Sequence, residues 1–429
     1  MKSISTTIWN RPGPTLLAVA IIAGLWLVGA PTYLAGQSSD NGVNSTPFVI
    51  GHSASITSDI LGEDRPLLIH TPTGYEQSNV SYPVLYLLDG DGHFHHTTGV
   101  IQFLAANNRM PDMIVVAIPN TGNRTHDLTP PQTEPDSTRQ FPTAGGASKF
   151  LQFLTDELQP WVESQYRTAP YNVLIGHSFG GLFITEVLME DAKAFNAYIS
   201  ISPSLWWDHE QYVEGATSIF EKNPELKGAL YMTMASEGGE MLSGGWKMAG
   251  ILEKHAPDSF RWKWTHMPEE DHGSIPHRST YDGLEWLFDG WSMPNLFEVA
   301  LAEDGEGLSR INKHHDELSE RFGFPIQTPE ALVNQVGYAL LGMGRLEHAL
   351  SAFKQNVENF PNSANVYDSQ GDALDAACRL KEARASYARA LELGEPSNDS
   401  QLDLYKSNVA RLTEKISSAE VCVVAGSEM

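Results

Sequence analysis

Ser178 stands in Gly176-His177-Ser178-Phe179-Gly180-Gly181. An apolar run, YNVLI, precedes it, and a helical pattern, GGLFITEVLM, follows it. A serine between strand and helix, flanked by glycines, is the setting of a nucleophile elbow. The turn leaves no room for neighbouring Cβ atoms, and the helix start offers unpaired N–H groups to a developing oxyanion. The bare G-x-S-x-G pattern is weak; the strand–turn–helix context gives it weight. Such a hydroxyl needs a base, and in this architecture the chain order is serine, acid, histidine. His272 lies in MPEEDHGSIPHRS, between the last predicted strand and the last predicted helix, where the base belongs. His277, five residues on, is expected to cap or pack. The acid should follow the penultimate strand. ALYMTMAS runs into Glu237, so Glu237 is the first choice and Glu240 the second. A buried carboxylate there would fix the histidine tautomer. Asp271 adjoins His272 and is a poor orienter, because neighbours in an extended loop rarely face each other.

The oxyanion hole needs two backbone N–H groups. Phe179 supplies one, and Asp91, after the strand VLYLLDG, is the natural second. That loop reads DGDGHFHH. Its histidines are expected to splay apart, and no H-E-x-x-H occurs, so neither a metal nor another cofactor is expected. Trp206 and Trp207 follow a strand end and are candidates for the substrate pocket, with at least one in the core as the competing reading. Arg124 and Asp127 are expected to pair structurally.

These residues need a frame. Residues 47–75 read as a hairpin around LGED. Apolar strands then alternate with amphipathic helices: 84–90, 113–120, 172–178, 197–204, 229–236 and 260–268 as strands; 145–167, 180–190, 244–256 and 279–288 as helices. This predicts an α/β fold with a mostly parallel sheet covered on both faces, over residues 47–291. Residues 292–326 form a linking helix, with Leu308, Ile311, His315, Leu318 and Phe322 at helical spacing. Residues 327–416 contain a repeat: Gly337 matches Gly371, Leu340 matches Leu374, Ala349 matches Ala383 and Phe353 matches Tyr387, at an offset of 34. That period resembles tetratricopeptide repeats. Two repeats are too few for a free solenoid, so the module is expected to pack on the linking helix, on the α/β domain or on a second copy. Residues 417–429 form a tail.

The chain has 429 residues and a net charge of −25, which disfavours nucleic acid as a partner. Cys378 and Cys422 are the only cysteines, which excludes a disulfide scaffold and a cysteine-based zinc module; an oxidised pair is left open. Lys2 and Arg11 precede an uncharged run from Thr15 to Ala30, followed by small polar residues. Residues 1–36 therefore read as a signal peptide or a retained N-terminal anchor, and the protein as exported, periplasmic or secreted.

Taken together, YPVLYLLDGDGHF, IPNTGNRTHDLTP, IGHSFGG, SPSLWW and EEDHGSIP resemble the esterase family of α/β-hydrolases over about residues 48–290. That family includes enterochelin-type siderophore esterases, S-formylglutathione hydrolase and bacterial mycolyltransferases. The resemblance implies Ser178 as nucleophile, His272 as base, Glu237 as acid, and Asp91 and Phe179 as oxyanion donors. The expected activity is hydrolysis of small-molecule carboxylic esters through an acyl-enzyme. Acyl transfer to an alcohol is an alternative. So is a siderophore lactone, to which a charge of −25 lends little support. A scaffold binding a protein partner, or a second copy, through the repeats is the reading of a different class.

Overall fold

The computed structural model describes residues 46–418 apart from 78, 134–140 and 398. The segment 1–36, Cys422 and the tail beyond residue 418 lie outside the described residues. Among the described residues no helix is long and apolar enough to cross a membrane.

Eight strands form one sheet: β1 (His52–Ser58), β2 (Glu63–His70), β3 (Tyr82–Leu88), β4 (Ile114–Ile118), β5 (Thr168–His177), β6 (Ala197–Ile201), β7 (Gly228–Met234) and β8 (Phe260–His266). Their order is β1-β2-β4-β3-β5-β6-β7-β8. β2 pairs antiparallel with β1 and with β4, and the remaining neighbours are parallel. The continuous apolar runs IVVAI and AYISI are buried along their whole length, as strands covered on both faces require.

One face carries the helices Gly90–Ala106 and Ile275–Leu287, through Val100, Ile101, Leu104, Ile275, Leu284 and Leu287. The other carries Ala147–Gln165, which includes one π-helical turn, with Phe179–Asp191 and Glu240–His255. The helix Gly90–Ala106 departs from expectation, which places a loop at DGDGHFHH. Its first ten positions hold three glycines and two threonines, which mask helical periodicity. The consequence is local. On a helix, residues three apart share a face, so His93 and His96 meet instead of splaying.

After the sheet come a short helix, Leu296–Ala300, and the linking helix Gly307–Phe322, which stops where Gly323 takes φ 76°. Leu318 and Phe322 enter the core beneath the sheet, where Phe322 packs edge-on to Tyr171 at 5.3 Å. Ile311, on the same helix, joins Val336, Leu340, Ala349 and Phe353 in a second core. One helix thus serves two cores, and the described residues from Val49 to Ser418 pack as a single unit. The 34-residue offset appears as two antiparallel helix pairs, Glu330–Gly342 with Leu346–Asn359 and Ala364–Ala376 with Leu380–Ser397, followed by Leu402–Ser417. In each pair a glycine faces a ring. A Cβ on Gly337 would meet Phe353 at 2.7 Å, and one on Gly371 would meet Tyr387 at 2.5 Å.

Candidate functional site

β5 ends at His177 and the next helix begins at Phe179, so Ser178 alone makes the turn, at φ 62° and ψ −116°. A non-glycine residue held there stores strain. The surroundings hold it in place: Ser178 N–H donates to the Ile201 carbonyl (3.0 Å), and the Ser178 carbonyl accepts from Leu182 (3.0 Å) and Ser204 (3.1 Å). The neighbouring glycines are steric necessities. A Cβ on Gly176 would run into the Gly180 carbonyl, and one on Gly181 would stand 2.8 Å from Pro203. The Ser178 hydroxyl lies 3.4 Å from that of Ser204, a neighbour that sequence reasoning missed.

His272 and Glu237 come together across the ends of two adjacent strands. β7 and β8 are paired, and the pairing continues beyond them: Met267 N–H donates to Met234 O (2.8 Å) and Ser236 N–H to Glu270 O (2.9 Å). The two loops are thereby pinned side by side, and His272 Nδ1 hydrogen-bonds Glu237 Oε1. The Glu237 side chain is 11% exposed, and its Oε2 has no hydrogen-bond partner among the described residues. A carboxylate so placed holds the imidazole with Nε2 outward. Glu240 opens the helix Glu240–His255 instead. Asp271 turns back on its own loop, accepting from the N–H groups of Gly273 and Ser274 at 2.9 Å each; it shapes the turn that presents His272. His277 lies on the helix Ile275–Leu287, 5.5 Å from the ring of His96.

The histidine before Ser178 is the second feature that the sequence did not disclose. The ring of His177 lies 4.5 Å from that of His272, inclined by 42°. Burial, reinforced by His272, His93 and Arg124, pushes His177 down to about 3 against the opposing pull of Asp89, so the ring is neutral. His93 stands edge-on to it at 5.7 Å, and His93 Nδ1 lies 3.0 Å from His96 Nε2. Burial, with help from His93, His277 and His95, pushes His96 down to about 4. Among the described residues no group of three or more such side chains is arranged to hold a metal ion.

Phe179 and Asp91 occupy the first and second positions of their helices, where N–H groups have no intrahelical acceptor. Asp89 begins the second of these turns in the left-handed region, at φ 52°. Burial alone would raise its carboxyl, but hydrogen bonds and charge from Arg124, with Asn120, hold it below the usual carboxylate range. Arg124 also donates to the His177 carbonyl at 3.1 Å, which ties the end of β3 to the elbow. The expected pairing of Arg124 with Asp127 does not occur. Asp127 meets Arg65 at 2.5 Å instead, because the buried guanidinium of Arg65 demands a carboxylate.

Trp207 leaves the list of pocket candidates. It is fully buried and packs in the core, where no substrate reaches it. Trp206 is half-buried, and it shares an aromatic cluster with Phe179 (6.0 Å) and Phe141 (5.8 Å) on the elbow side of the sheet.

A family model described as "Putative esterase" matches residues 58–240. Among solved structures, an IroE-like serine hydrolase from Shewanella oneidensis is 31% identical, with a TM-score of 0.63 over 72% of this chain and 99% of that one. The chain belongs to this esterase family. Two other esterases of known name are also similar. Ferri-bacillibactin esterase BesA of Bacillus subtilis is 34% identical over 143 residues, 30% of this chain and 49% of that protein. The siderophore enterobactin esterase of Emericella nidulans is 28% identical over 180 residues, 35% of this chain and 58% of that protein. The chain thus spans about half the length of these two curated relatives.

Proposed function

We propose that the protein is an exported serine esterase acting on small-molecule carboxylic esters. The observation that carries this reading is the His272–Glu237 pair, whose imidazole lies 4.5 Å from the ring of His177, the residue that precedes a strained serine at a helix start. Ser178 Oγ attacks the ester carbonyl while its proton passes to His272 Nε2. The carbonyl electron pair moves onto oxygen, which the N–H groups of Phe179 and Asp91 receive. Collapse expels the alcohol, which takes the proton from His272. Water, deprotonated by the same imidazole, then releases the acid and restores Ser178. The hydrogen bond from Ser178 to His272 forms on substrate binding in this scheme; catalytic contacts are often loose in the empty enzyme.

Residues 47–291 form the catalytic domain in this reading, 292–326 link it to the repeat module 327–416, and residues 1–36 direct export. The repeats offer a surface to a protein partner or a second copy. A siderophore ester is the favoured narrower substrate, supported by the names of the similar proteins and by the cluster of Phe141, Phe179 and Trp206, which suits an aromatic group. Hydrolysis of p-nitrophenyl esters and of a tris-catecholate trilactone by the wild-type and Ser178→Ala proteins tests both levels. Activity on neither, from folded protein, defeats the esterase reading. Activity on the simple esters alone defeats the siderophore one.

A further inference from the structure

Five histidine rings run in an unbroken row across the catalytic face: His272, His177, His93, His96 and His277, at successive centroid separations of 4.5, 5.7, 5.2 and 5.5 Å. The innermost contact is the closest. We propose that His177 is a positioning residue for the catalytic imidazole: its ring, held between His272 and His93, is the floor on which His272 lies. It fixes the plane of the His272 ring and accommodates the imidazolium that forms when Ser178 gives up its proton. This inference rests on the triad reading above.

Catalysis asks that the plane of the His272 ring be fixed. Glu237 fixes one ring nitrogen but leaves rotation about that hydrogen bond open, and the ring is 43% exposed at its outer side. A second restraint must set the plane, and the His177 ring supplies it. His177 cannot itself swing away, because it ends β5 and His93 backs it, with His96 behind. The charge on the floor matters as much as its shape. A protonated ring there would repel the imidazolium, whereas a neutral aromatic ring attracts a cation. The groups facing His177 are His272 from the loop before the helix Ile275–Leu287, His93 from the helix after β3, Asp89 from the end of β3 and Arg124 from the short helix Arg124–Leu128. Desolvation outweighs Asp89 among these influences, and the ring stays neutral throughout the working range. His272 itself faces Glu237, His177 and Asp271.

The test uses the full chain carrying His177→Leu, His177→Met or His177→Phe. kcat and KM on p-nitrophenyl acetate are followed from about pH 5 to 9, with a thermal melt for each protein. Leucine or methionine removes the aromatic floor. The protonated form of His272 then loses a favourable neighbour, so the acid limb of the profile moves to lower pH. kcat falls about tenfold with KM little changed. Phenylalanine keeps a neutral ring and recovers kcat to within about threefold, with the limb back in place. A folded leucine or methionine variant with wild-type kcat and profile overturns the proposal, and so does a phenylalanine variant that falls as far as leucine. Should leucine and methionine both fail to fold, the phenylalanine variant decides alone: retained turnover with an unmoved limb upholds the floor, and lost turnover sinks it. Ser178→Ala and His272→Ala run in the same assay. If either keeps full turnover, the triad reading fails, and that failure is separate from any result at position 177.

Discussion

At the elbow around Ser178, Gly176 and Gly181 clear room for a backbone turn; in the helical region, Gly337 and Gly371 clear room for a ring. The added Cβ atoms make the contrast concrete. At the elbow they would strike the Gly180 carbonyl and Pro203, both fixed. In the repeats they would strike Phe353 and Tyr387, fully buried rings wedged between paired helices. The first arrangement stores strain in Ser178 and leaves its hydroxyl half-buried beside that of Ser204. The second stores none and buries apolar surface. One residue type therefore marks a strained turn in one region and a packing seam in the other, and only the neighbours tell them apart.

The largest effect expected from breaking this contrast lies at the elbow. Ser178→Ala should lower turnover on p-nitrophenyl esters by about 10⁴–10⁶-fold with the melting temperature nearly unchanged. Glu237→Gln should follow, lowering kcat by up to about 10⁴-fold by disturbing the tautomer of His272. Glu240→Gln in the same assay should leave kcat unaltered, and an equal loss at both positions would remove Glu237 from its assigned role. In the helical region, Gly371→Ala should destabilise by about 1–3 kcal/mol through overpacking against Tyr387, with kcat intact. A loss of activity without a loss of stability there would show that the seam does more than pack.

The smallest effect concerns Glu186, on the helix that begins at Phe179. Burial, with Glu190 beside it and despite Ser148, pushes the Glu186 carboxyl up to about 7. A carboxyl raised in the folded state favours folding while it is protonated, and that contribution fades as pH rises through about 7. Glu186→Gln should therefore raise the melting temperature by a few degrees at pH 8.5 and by little at pH 4.5. Equal shifts at both values would contradict the assignment.

Much of this arrangement was legible beforehand because it is local. Strand runs such as IVVAI, the elbow around Ser178 and the repeat offset between Gly337 and Gly371 are patterns of adjacent or periodic residues. The helix Gly90–Ala106 was not legible, since glycines and threonines flatten its periodicity. With that helix missed, the meeting of His93 and His96 was missed too. Trp207 was indistinguishable from Trp206, because neighbours in a turn share composition and differ only in which way they point. Arg124 and Asp127 were close in sequence, but the buried Arg65, far off on β2, claimed the aspartate.

By itself the sequence determined the order of the elements, the strand–turn–helix that bends at Ser178, and the periodic glycines of the helical region. Short-range sterics and hydrophobic periodicity are enough for those. Tertiary structure alone decided which carboxylate reaches His272, which tryptophan is buried, and that His177 lies beneath the His272 ring. Each of these depends on where β5, β6, β7 and β8 end relative to one another, and strand register is set by the packing of the whole sheet.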